Sequence, residues 1–138
     1  MSIITVNREK ALASAKTAAV ARLQAAKWAR MLGTYKDSAG HIYDVDSDSR
    51  ALLTGKVATI TAGKALPTGF VWKTAETDTN GQPVYAAHTA ETLKALAFEI
   101  DDWTEQVFMA AEAAQKAVRE AADVAGATAA EAAVVWPS

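Results

Sequence analysis

The sequence predicts an α+β protein: a small antiparallel sheet of two hairpins packed by helices, with a long N-terminal helix and a longer C-terminal helix of coiled-coil character. Three observations predict it. Apolar residues recur at three- and four-residue spacing towards both ends of the chain. Two runs of turn-forming residues, Asp37-Ser38-Ala39-Gly40 and Asp78-Thr79-Asn80-Gly81, are each flanked by alternating β-prone residues. Between the hairpins, Asp46-Ser47-Asp48 precedes another helical apolar pattern, as a cap precedes a helix.

Taken in order, residues 1–6 are short, apolar and β-prone and read as an N-terminal arm. Asn7 then offers an N-cap for a basic, alanine-rich helix over 7–32, with Leu12, Ala15, Ala19, Leu23 and Ala26 in one stripe and Gly33 as its stop. Residues 34–45 form the first hairpin, in which His41 and Tyr43 share one face. A second helix over 48–62 places Leu52, Leu53, Val57 and Ile60 inward and stops at Gly63. Residues 70–87 form the second hairpin, with Phe70 and Trp72 inward. His88 marks the junction to the last helix, and Thr89 caps it.

That last helix is expected over 89–125. Leu93, Leu96, Ile100, Trp103, Val107, Ala110, Ala114, Ala117, Ala121 and Val124 alternate by three and four without a break, as in the seam of a coiled coil. Its early layers are bulky and its late ones nearly all alanine, so a facing helix approaches closely there but gains little burial per layer. At 1.5 Å per residue the rod is about 55 Å long, whereas a globule of this chain length is only about 35 to 40 Å across. The distal half therefore needs a covering helix. The first helix, about 39 Å long, is the candidate within the chain, and a partner or further copies of the same chain are the alternatives. Residues 7–125 thus read as one domain with a helical extension, and 126–138 as a tail. In that tail Trp136, beside Val134 and Val135, serves either as an anchor for a partner or as a lid folded back on its own domain.

Composition narrows the function classes. Hydrophobic residues make up 51% of the chain, but many are alanine, so the core is thinner than that figure suggests. No apolar run is long enough to span a membrane and no secretory leader is recognisable, which points to a soluble product of the cytosol. With no cysteine and only His41 and His88 as imidazoles, a structural metal centre is not expected. Asp44, Asp46 and Asp48 start like a calcium loop, but Ser49 stands where glycine is needed and Gly55 where a bidentate glutamate is needed. No nucleophile–base motif accompanies either histidine. Catalytic residues, cofactor-binding residues and metal ligands are accordingly all read as none, and for an enzyme only Asp46, Asp48, His41 and His88 would be candidates.

Charge is strongly polarised. Residues 1–36 hold seven Lys or Arg and one Glu, while residues from 76 onward hold eleven Asp or Glu and three Lys or Arg. The basic residues are spread around the first helix without interleaved aromatics, which argues against nucleic acid and for pairing with the acidic end of the chain. Arg22, Lys27 and Arg30 are the cations expected to carry that pairing.

The run Gly40-His41-Ile42-Tyr43-Asp44-Val45-Asp46-Ser47-Asp48-Ser49-Arg50, then Phe70-Val71-Trp72-Lys73-Thr74, then Tyr85 and a long helix with Val107-Phe108, resembles a domain-of-unknown-function family of tailed-bacteriophage tail, tail-fibre and fibre-assembly proteins. The resemblance covers roughly residues 8–125 and supplies no catalytic residues. It implies a non-enzymatic tail or tail-fibre structural protein, made in the bacterial cytoplasm and located in the virion, or alternatively a fibre-assembly chaperone not retained there. Its expected partners are other tail or fibre proteins, or copies of itself, and neither membrane nor nucleic acid. The residues expected at the partner or helix-packing interface are Leu93, Leu96, Ile100, Trp103, Val107, Ala110, Ala114 and Trp136.

Overall fold

The computed structural model describes residues 2–138 and shows an α+β chain of four helices and two antiparallel hairpins. In order these are α1 (Ile3–Met31), β1 (Thr34–Lys36), β2 (Ile42–Asp44), α2 (Ser47–Thr61), β3 (Val71–Thr77), β4 (Pro83–Ala87), α3 (Ala90–Arg119) and α4 (Val124–Ala132). They form two compact units where the sequence suggested one. A helical unit takes the chain up to Ala29 together with Glu105–Pro137, and a hairpin unit takes Arg30–Thr104.

The helical unit begins earlier than the β-prone N-terminus suggests. Ser2 caps α1: its hydroxyl accepts from the Thr5 N–H at 3.2 Å and its carbonyl from the Val6 N–H at 3.1 Å. A hydroxyl that satisfies orphan amides outweighs the modest helix penalty of Ile3, Ile4 and Val6. Over 2–6 the expected arm, and the cap at Asn7, are thus replaced by a helix that has already started, Met1 lying outside the described residues. Ala19 and Leu23 of the expected stripe pack with Ala114 and Val118 of α3 and Ala127 of α4, and Val134 and Trp136 lie against this cluster.

The expected helix to residue 125 stops at Arg119. Asp123 caps a separate helix, its carboxylate accepting from the Gly126 N–H at 2.7 Å. Gly126 is therefore the third residue of α4 and not an interruption in α3. A Cβ there would sit 3.0 Å from the capping oxygen, tighter than most real contacts. The tail expected over 126–138 is consequently helical as far as Ala132.

Burial along α3 follows the heptad through Leu93, Leu96, Ile100, Trp103 and Val107, then steps to Ala111, Ala114 and Val118. Ala110 is only half-buried, and Ala117 and Val124 are exposed. An α-helix has 3.6 residues per turn, so a strict 3.5-residue seam drifts off the packed face. Two four-residue steps, Val107 to Ala111 and Ala114 to Val118, stand where three-residue steps were expected, and Ala114 keeps its expected place.

In the hairpin unit, β1 and β2 pair with Tyr35 opposite Tyr43, closed by a turn in which Gly40 adopts φ +91°. Asp46 caps α2 by accepting from the Ser49 N–H at 2.8 Å. This helix buries Leu53 and Ile60, but Leu52 is 68% exposed and not inward as expected, because the buried face is narrower than the apolar pattern. β3 and β4 form their own two-stranded ladder, with an irregularity between Lys73 and Thr77. There the buried Thr74 hydroxyl donates to the Val84 carbonyl at 2.8 Å and accepts from the Glu76 N–H at 3.1 Å, replacing ladder bonds that the bulge removes. Phe70 and Trp72 are half-buried, with ring centroids 6.3 Å apart.

Candidate assembly surface

Most of the residues read as a partner or helix-packing interface are packed inside their own units. Leu93, Leu96, Ile100 and Trp103 are core residues of the hairpin unit, where the Trp103 ring lies 5.4 Å from that of Tyr35, centroid to centroid. Val107 and Ala114 are core residues of the helical unit, and Trp136 is half-buried against the cluster containing Ala114.

The helical unit instead presents apolar side chains that the seam analysis passed over. Trp28 on α1 is 52% exposed, and Phe108 and Met109 on α3 are 44% and 60% exposed. Between the two rings lies Lys27, only 5% exposed, with its Nζ 5.2 Å from the Trp28 ring and 4.8 Å from the Phe108 ring. Ring faces attract a cation but do not neutralise it. Among the described residues no carboxylate stands within ion-pair reach of Lys27. Deeper in the unit, the fully buried Gln115 accepts from Gln24 at 3.2 Å and from Arg119 at 3.3 Å, and leaves its own amide nitrogen without a partner. Lys27, expected as a pairing cation, makes no ion pair among the described residues and instead fills an apolar-stripe position, as does Gln115, which nothing in the sequence pattern singled out. A legible signal for the exposed patch was the Phe108-Met109 pair immediately beside seam residue Val107.

The hairpin unit holds a concavity of about 320 Å³, whose walls bring the chain's two histidines together with Asp37, Tyr43, Thr92 and Glu99. His88 Nε2 lies 3.0 Å from the Tyr43 hydroxyl and its Nδ1 3.1 Å from Thr92 Oγ1, while His41 Nδ1 lies 3.3 Å from Glu76 Oε2. Burial lowers the His88 pKa, and burial together with nearby Asp37 pushes Tyr43 up to about 12. The Tyr43–His88 contact is thus a neutral phenol against a neutral imidazole at pH 7. Asp46 and Asp48, the other candidates for chemistry, lie at the N-terminus of α2, where Asp46 is the cap. Among the described residues no group of three or more His, Asp or Glu is arranged to hold a metal ion, and no helix is long and apolar enough to cross a membrane.

The helices of the helical unit thus bury their regular stripe while leaving Trp28, Phe108 and Met109 in water. The family model described as a domain of unknown function, DUF4376, matches residues 14–135, and the chain belongs to that family. No curated protein and no solved structure matches it.

Proposed function

We propose that this chain is a non-enzymatic structural protein of a bacteriophage tail or tail fibre, acting by protein–protein assembly. The observation that carries the assembly reading is the solvent-facing Trp28, Phe108 and Met109 around an ammonium with no ion-pair partner. Exposed aromatic and methionine side chains are the types enriched at protein interfaces. The phage setting draws its support from the resemblance of the Gly40–Arg50 run and of Trp72-Lys73 to tail and fibre-assembly proteins. The histidine concavity fits a structural role, since its groups are engaged with one another: Tyr43 with His88, His88 with Thr92, and His41 with Glu76.

The test is quantitative mass spectrometry of purified particles from a phage that encodes the chain. A tail component is recovered at a fixed ratio to the other tail proteins. Absence from particles, together with fibre loss when the gene is deleted, would overturn the virion assignment in favour of an assembly factor.

A further inference from the structure

We propose that the face bearing Trp28, Phe108 and Met109 is a weak self-association surface, on which a second copy of this chain sets Glu105 or Glu112 against the ammonium of Lys27. The proposal does not depend on the phage setting. It starts from Lys27, 5% exposed and touching two rings but no carboxylate. An ammonium held against two rings with no carboxylate beside it gains a charge-assisted contact when an anion approaches. Both rings beside it are about half exposed, so the side open to an incoming group is the solvent side.

The same face carries what Lys27 lacks. Glu105, Phe108, Met109 and Glu112 stand at i, i+3, i+4 and i+7 on α3 and so share one side of the helix. Neither glutamate has an ion-pair partner among the described residues. A patch with a lone cation and two lone anions around an apolar centre is complementary to itself. A two-fold contact would satisfy both copies at once, since residue i of one meets residue j of the other. An acidic segment of another protein offers a similar carboxylate, but the charges and apolar area needed for a copy are already present on this face.

Size sets the strength. The exposed parts of Trp28, Phe108 and Met109 amount to roughly 300 Å² of apolar surface per copy. That is well below the surface buried in stable complexes, so a dissociation constant on the order of 10 to 100 μM is expected.

The experiment is sedimentation equilibrium of the full chain across about 5 to 500 μM, at low and high salt. The expected result is a monomer–dimer equilibrium that weakens as salt rises. Met109→Lys, at an exposed position, should weaken it at least tenfold, with circular dichroism and thermal midpoint unchanged. The double variant Glu105→Gln, Glu112→Gln should weaken it about tenfold and abolish most of the salt dependence. A mass that stays monomeric throughout overturns the proposal. So does a dimer indifferent to Met109→Lys, or one whose salt dependence survives loss of both carboxylates.

Discussion

His88 couples this protein to pH through its burial. Its pKa lies below the ordinary 6.5, with burial as the largest cause, so the unfolded chain takes up a proton more readily than the folded one. Stability is therefore full above about pH 6.5 and declines as the pH falls towards the depressed folded value. The difference between thermal midpoints of the parent and His88→Asn should shrink from pH 7.5 to pH 5.5. Parallel profiles would show that His88 contributes no linkage. Trp103 is the residue whose role was most legible in the sequence: a bulky seam position, buried in the fold and against Tyr35. Trp103→Ala should cost about 3 to 5 kcal/mol in denaturant unfolding. The histidine concavity was illegible, because His41 and His88 are far apart in sequence and meet only through the pairing of Tyr35 with Tyr43 and the return of β4 beside β3. Such register is set by tertiary packing and not by local pattern.

At the scale of elements, the sequence disclosed the type and order of both long helices, α2 and both hairpins, and misplaced their ends. Periodicity reports a buried face over many residues, whereas a terminus depends on a single capping group. Ser2 and Asp123 are those groups here, and each was overridden by a stronger local signal, β-branched residues in one case and unbroken alanine spacing in the other. Asp123→Ala should destabilise the chain by about 1 kcal/mol, and Asp123→Ser should recover much of that loss. A loss of helix content confined to residues 124–132, read from amide exchange, would place the effect on α4. The departures of the seam at Ala111 and Val118 belong to the same scale. Ala111 and Val118 were available to a 3.6-residue count but not to a strict heptad.

For the whole molecule, the polarised charge resolves into few direct pairs. Arg22 meets Glu131 through two hydrogen bonds of 2.7 Å, while Lys16 reaches the carbonyl of Arg119 at 2.6 Å. Arg22→Glu should lower the thermal midpoint more at low ionic strength than at about 0.5 M salt. Equal shifts would assign the effect to lost packing of the arginine stem. The motif that carried the family resemblance also ends on a joint: the Arg50 guanidinium donates to the Val45 carbonyl and to the Met31 carbonyl, both at 2.6 Å. One planar fork thereby holds the last turn of α1 and the exit of the first hairpin. Replacement by lysine, a single point donor, would leave one of those carbonyls loose. Limited proteolysis should then cut first near Gly33, between segments that each remain folded, so the arginine acts as a molecular rivet whose removal is read in where the chain is nicked.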